Sequence, residues 1–224
     1  MTKRGIITIA VLVAAALAAV LYFVLRPAGP TEPPPRHIIA IDAGHGGRDP
    51  GAVGGDVLEK DINLEVVQLV RDLAAAEEDL DPVVIRTLDI FIPLEDRIAQ
   101  AEAAEAILYV TVHVNSYTDA GPEGVETIVD NTREMDDDSW VLAELIQNGV
   151  VNATVARDRG TRMQESYLQR TSMPAVSVEI GYITNPAERA KLVTPEYQQQ
   201  VAEGIVAGIR QYIDLRFPQE TEDQ

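Results

Sequence analysis

Three observations predict an α/β fold, with a twisted, mostly parallel sheet and helices on both faces. Strand-like and helix-like segments alternate along the chain, which implies crossover connections between parallel strands. The strand-like runs are apolar almost throughout, as in strands covered on both sides. Three of these runs lead into or end on reactive side chains, namely His45, His113 and Glu179. Open α/β sheets gather their ligands at the carboxyl ends of strands.

The elements follow in order. His37-Ile38-Ile39-Ala40-Ile41-Asp42 reads as a strand over 38–42 and runs into Ala43-Gly44-His45-Gly46-Gly47, a loop. A helix over 59–77 places Ile62, Val66, Leu69, Val70 and Leu73 on one face. A strand over 82–86, a helix near 93–105 and a strand over 107–113 come next. Gly121-Pro122-Glu123-Gly124 is a turn before a strand over 125–130. A helix over 139–153 carries Trp140, Leu142, Leu145 and Ile146, with Ser139 as its N-cap. A strand over 175–180 follows. The last helix runs from about Pro195 to Leu215, and proline suits a first helical position. No internal repeat is present.

At 224 residues and 46% hydrophobic content the chain has material for one full-sized core. It divides into residues 1–26, a proline-rich spacer over 27–36, one domain over 37–216 and an acidic tail over 217–224. Lys3 and Arg4 precede an uncharged run from Gly5 to Leu25, closed by Arg26-Pro27. That run is long enough to cross a ~30 Å hydrocarbon core as a helix. A cleaved signal peptide usually has an apolar stretch of only about 7–15 residues, so an uncleaved anchor is the expectation. The positive N-terminus stays inside, and the domain stands on the extracytoplasmic side. Pro27 to Pro35 then acts as an extended spacer.

The formal charge is −18, and beyond residue 26 there are 15 bases against 36 acids. This excludes nucleic acid and anionic lipid headgroups as partners of the domain, because both need basic patches. There are no cysteines, which excludes disulfides, thiolate metal sites and cysteine nucleophiles. A metal in this chain must be held by His, Asp or Glu, and imidazole with carboxylate suits zinc.

Each candidate residue also has an ordinary structural reading. His45 lies in a glycine-rich loop that serves equally as a plain turn or as a site. The loop lacks the Gly-Lys-Ser/Thr ending of a phosphate cradle. Asp56 with Glu59 three residues later has the spacing of a helix capping box. His113 at the end of an apolar strand fits a core histidine bonded to a carbonyl. Ala175, Ser177 and Glu179 alternate with Val176, Val178 and Ile180, as on a half-exposed strand. His37 reads as a surface residue. No HExxH helix is present.

Taken together, the blocks carry a specific resemblance. Ile41-Asp42-Ala43-Gly44-His45-Gly46-Gly47-Arg48-Asp49-Pro50-Gly51-Ala52 is followed by Glu59-Lys60-Asp61-Ile62-Asn63-Leu64. Arg86-Thr87 with Asp89, Pro93-Leu94-Glu95-Asp96-Arg97 and His113-Val114-Asn115-Ser116 come next. Gly124-Val125-Glu126-Thr127, Arg159-Gly160, Arg170 to Val176, Val178 to Tyr182 and Asn185-Pro186 complete the series. In this order, from about His37 to Ile213, the chain resembles the zinc-dependent N-acetylmuramoyl-L-alanine amidases that include the bacterial cell-division amidases. Glu102 and Ile107 stand where that family suggests asparagine and aspartate.

The resemblance implies hydrolysis of the amide between N-acetylmuramic acid and L-alanine in peptidoglycan. It implies zinc held by His45, Glu59 and His113, with Glu179 as the catalytic carboxylate. It thereby overrides the capping reading of Glu59. Asp42 and Asn115 are expected as substrate contacts or as supports of the ligands. Another zinc peptidoglycan peptidase, such as a carboxypeptidase, and a non-catalytic peptidoglycan-binding module are the alternatives. The enzyme is expected to act as a monomer. Some relatives carry an inhibitory helix inserted after the strand that follows the second histidine. Here only Asn131 to Ser139 separates the expected elements, which is too short for such a helix to cross the cleft and return.

Overall fold

The computed structural model describes residues 15–22 and 36–218. The chain forms two units, Met1–Pro34 and Pro35–Gln224. Residues 15–22 are helical; the rest of the expected Gly5–Leu25 span lies outside the described residues. Among the described residues, no helix is long and apolar enough to cross a membrane.

The second unit contains the strands β1 (His37–Ala43), β2 (Val53–Gly54), β3 (Val57–Leu58) and β4 (Leu80–Val84). These are followed by β5 (Leu108–Asn115), β6 (Val125–Asp130), β7 (Asp158–Gln164) and β8 (Ala175–Tyr182). Its helices are α1 (Glu59–Ala75), α2 (Leu94–Ala103), α3 (Asp138–Thr154), α4 (Pro186–Leu192) and α5 (Pro195–Arg216). A short 3₁₀ turn spans Tyr167–Arg170.

Six strands make one sheet in the order β4-β1-β5-β8-β6-β7, and β2 pairs with β3 in a separate hairpin. All neighbours in the large sheet are parallel except β6 and β8. Side chains alternate across a strand, so each strand serves two layers. Ile39, Ile41, Val110, Val112, Val176 and Val178 face one side and pack beneath α1, α3 and α5. The opposite side is covered more thinly. There Ala40, Tyr109 and Ala175 meet Ile98 and Ala101 of α2 and Leu168 of the 3₁₀ turn. This second face also carries Asp42, Thr111, His113, Ser177 and Glu179, and its incomplete cover leaves room for a site.

The predicted α/β class and most elements agree with the structure, and the differences have local causes. The strand expected at 82–86 is paired over 80–84, after which Arg86 turns its guanidinium toward the end of β1. β7 went unpredicted because Asp-Arg-Gly-Thr-Arg-Met-Gln has no apolar alternation; it is a largely exposed edge strand, where charge discourages further pairing. α4 is only seven residues long, but Asn185 caps Ala187 and Glu188 and Pro186 opens it.

The cap of α3 is Asp137, whose carboxylate accepts from Ser139 N, rather than Ser139 itself. The Ser139 hydroxyl instead accepts from Ala175 N and ties α3 to β8. Turns over 131–137 join β6 to α3. His37 is half-buried rather than a surface residue. Its ring lies 4.7 Å from that of Phe217, so the first residue of the expected tail belongs to the folded body.

Candidate active site

The loop after β1 carries His45 in an unusual backbone conformation, with φ at 63°. A non-glycine residue rarely adopts this region without support from its surroundings. The support is close at hand. A Cβ on Gly44 would lie 2.2 Å from Cε1 of His113, so only glycine lets the loop pass the second imidazole. At Gly51, where φ is +67°, a Cβ would lie 2.6 Å from Glu59 Oε2.

Two buried arginines clamp the same loop through its carbonyls. Arg86 donates to Ala43 O at 2.8 Å and Gly44 O at 3.1 Å. Arg97 donates to Ala43 O at 2.8 Å and His45 O at 2.5 Å. Arg97 is in turn held by Asp42, which is completely buried. Asp42 also accepts from Tyr109 and Thr111.

Glu59 opens α1 but does not cap it. Leu58 occupies the cap position without a side-chain bond, and no capping box forms with Asp56. The Glu59 carboxylate turns inward, where it accepts from Ala52 N at 2.7 Å and Val114 N at 3.0 Å. Its Oε1 lies 3.2 Å from His45 Nε2 and 2.9 Å from His113 Nδ1. One ligand atom from each of the three residues falls within 4.8 Å of the others. His45 Nδ1 is 2.8 Å from Asp49 Oδ2. A proton held there leaves Nε2 free to face the cluster, which is how a carboxylate partner orients a metal-binding imidazole.

The electrostatics follow from this crowding. Burial alone would lift the Glu59 carboxyl, yet bonds from His113 and His45 hold it well below the usual carboxylate range. Burial alone would lower His45, but Glu59 and Asp49 push it up to about 9. His113 is likewise raised, against the effect of burial, by Glu59 and Glu179. A cation entering the cluster takes the place of these protons, so metal binding and proton release are coupled. Two imidazole nitrogens and one carboxylate oxygen, in a chain without thiols, suit zinc with a position left open.

Glu179 of β8 is the register neighbour of His113. Burial raises its carboxyl to about 7, reinforced by Glu59 and Glu126 and opposed by His113. On its other side it pairs across the sheet with Glu126 of β6. Asn115 donates to Glu126 Oε1 at 2.7 Å, so it is tied to that carboxylate. On the opposite flank a cleft of about 290 Å³ is bordered by His45, His113, Phe91, Ile92, Leu94 and Tyr167.

The structure therefore brings His45, Glu59, His113 and Glu179 together, with Asn115 beside them. Asp42 has no exposed surface; it borders the cleft from beneath and is linked to the His45 carbonyl through Arg97. The roles of Arg86, Arg97, Asp49 and Glu126 escaped the reading of the sequence. Arginine is usually exposed, and nothing local marks these two as buried.

The family model described as N-acetylmuramoyl-L-alanine amidase matches residues 39–211. The chain belongs to this family. Its likeness to known members is substantial. It is 44% identical over 184 residues to the uncharacterized protein YqiI of Bacillus subtilis, covering 82% of this chain and 88% of that one. It is 37% identical to the N-acetylmuramoyl-L-alanine amidase LytC of the same organism, covering 78% of this chain but 35% of LytC. The crystal structure of the N-acetylmuramoyl-L-alanine amidase from Clostridium difficile 630 has a TM-score of 0.77 at 34% identity. That match covers 81% of this chain and 98% of the other. The catalytic domain of the amidase CwlV from Bacillus (Paenibacillus) polymyxa var. colistinus has a TM-score of 0.75 at 33% identity, covering 80% and 99%. The family resemblance read from the motif blocks is thus borne out.

Proposed function

We propose that this chain is a zinc-dependent peptidoglycan amidase that cleaves the bond between N-acetylmuramic acid and L-alanine, in cell-wall remodelling or daughter-cell separation. The observation that carries the reading is the convergence of His45, Glu59 and His113 beside Glu179, in a member of the amidase family. His45, Glu59 and His113 are assigned as metal ligands. When bound, zinc supplies a Lewis acid that polarises the scissile carbonyl and acidifies water. Glu179 takes the proton of the attacking water and passes it to the leaving amine. Its place on β8 as the register neighbour of His113 supports that double role. Asp42 acts at one remove, by fixing Arg97 and so the carbonyl of His45.

The domain is assigned to the extracytoplasmic side, held by residues 5–25 and spaced by residues 27–36, with peptidoglycan as its partner and a monomeric state. The uncharged length of Gly5–Leu25 and the prolines after it support this arrangement. The deciding experiment is mass spectrometry of purified peptidoglycan digested with the protein, with and without a chelator. The expected product is a new L-alanine amino terminus that chelation abolishes. Loss of the terminal residue of the stem peptide instead would identify a carboxypeptidase. No product at all would leave a binding module.

A further inference from the structure

We propose that Arg159 and Arg162 form a carboxylate-binding subsite for an acidic residue of the stem peptide, on the leaving-amine side of the scissile bond. The inference rests on the amidase reading above. It starts from Glu126, which is 5% exposed and fully engaged. Its Oε1 accepts from Asn115 at 2.7 Å and from the Tyr182 hydroxyl at 3.0 Å. Its Oε2 lies 2.8 Å from Nε of Arg159 and 2.8 Å from Nε of Arg162. One buried carboxylate therefore anchors two guanidinium groups by their inner nitrogens.

Among the described residues, no hydrogen bond engages the terminal nitrogens of either arginine. Arg159 lies over the Tyr182 ring at 5.0 Å, and its side chain is 23% exposed; that of Arg162 is 50% exposed. A planar guanidinium fixed at Nε presents its outer edge in the geometry that grips a carboxylate. Within this trio two positive charges meet one negative, with Glu188 and Glu179 as further carboxylates nearby, on a chain whose formal charge is −18. That contrast makes this cation pair a distinct feature beside the site.

The sheet gives the pair a direction. Strand order runs β1, β5, β8, β6, β7. The proposed metal ligands belong to the β1 side, Glu179 stands on β8, and the arginines stand on β7. β6 and β7 run opposite to β8, so the starts of β6 and β7 share an edge with the end of β8. If Glu179 protonates the leaving amine, the peptide on that amine departs past Glu179, toward Glu126 and the arginines. Strands lie about 4.8 Å apart, so β7 is about 10 Å from β8. An extended peptide spans about 3.3–3.6 Å per residue. The recognised carboxylate is thus two or three residues beyond the scissile amide. The opposite flank offers the side chains of Phe91, Ile92 and Leu94, with the exposed Arg48 guanidinium 4.2 Å over the Phe91 ring but, among the described residues, no carboxylate-anchored pair of arginines.

The test uses the full chain, purified in detergent and loaded with zinc. Two synthetic muramoyl peptides are compared, identical except that the acidic side group is a free carboxylate in one and an amide in the other. The unmodified protein should favour the carboxylate by about 10- to 100-fold in kcat/KM, as expected for a charge-assisted hydrogen-bonded pair. Arg162→Gln should bring the ratio of the two substrates toward one, and Arg162→Lys should give an intermediate ratio. Calorimetry with the released L-alanyl peptides, free and amidated, should show the same preference without catalysis. Equal cleavage of both substrates by the unmodified protein would overturn the subsite while leaving the amidase reading intact. A preference that survives Arg162→Gln would overturn it as well. Release of no alanine amino terminus from either substrate would refute the amidase reading, and the calorimetric preference would then judge the subsite on its own.

Discussion

Replacing Asp42 with asparagine removes one charge at a position with no exposed surface, and the structure sets how much that costs. Arg97 Nη1 donates to Asp42 Oδ1 at 2.7 Å and Oδ2 at 3.0 Å, and Arg97 is itself only 2% exposed. Tyr109 and Thr111 also donate to Oδ2, at 2.9 and 3.2 Å. Asparagine is nearly the same size, but its amide nitrogen faces these donors with hydrogens of its own. The Arg97 charge is then left buried and unpaired, beside Arg86, which is also fully buried. Breaking one partner of such a pair costs about 3–5 kcal/mol. In a domain of this size each kcal/mol lowers Tm by about 2–4 °C, so the expected fall is about 6–20 °C.

The same change loosens the bond from Arg97 to His45 O, so zinc affinity should fall with stability. Thermal unfolding and a competitive zinc titration measure the two effects. The double variant Asp42→Asn/Arg97→Met separates them. Stability should partly return because the orphaned charge is gone, while zinc affinity stays low because His45 O has lost its donor. A fall in Tm below about 2 °C for Asp42→Asn, with zinc affinity unchanged, would refute the reasoning.

Four further outcomes are expected. His45→Ala and His113→Ala should each lose zinc and activity together, by elemental analysis and product assay, whereas Glu179→Gln should keep zinc and lose roughly 10²–10⁴-fold in rate. Gly204→Ala should destabilise by about 1–3 kcal/mol despite a better helix propensity, because packing outweighs it; the added Cβ would lie 2.5 Å from Val150 Cα and 2.7 Å from Gly149 O, and urea unfolding reads the result. Asp130 accepts from Thr132 N and Oγ1 and from Ser166 N and Oγ, which hold its carboxyl below the usual range although burial opposes this. Its contribution is therefore full above about pH 4 and fades as pH falls further, so the stability gap between the unmodified protein and Asp130→Asn should be widest near neutrality and close in acid. Finally, the turns over 131–137 leave no room for an inhibitory helix, so zinc-loaded protein should turn over dye-labelled peptidoglycan without an activator; negligible turnover rescued by deleting residues 131–139 would contradict this.

The alternation of apolar strands and amphipathic helices was legible without coordinates, because burial on two faces writes itself into local composition. So was the start of α5, since proline suits a first helical position, whereas the seven-residue α4 was not read from the sequence. The charged edge strand β7 was not legible, because its pairing depends on β6 rather than on its own residues. His45, His113 and Glu179 stood out because they sit at or just beyond strand ends. Glu59 did not, since its spacing from Asp56 fits a cap as well as a ligand. Only the approach of β5 to the start of α1, with Val114 N and Ala52 N aimed at the carboxylate, turns Glu59 inward and away from a capping role. The same holds for Arg86 and Arg97. An arginine's sequence neighbours do not say whether its charge meets water or a set of carbonyls 42 to 54 residues away, and long-range packing alone makes that choice.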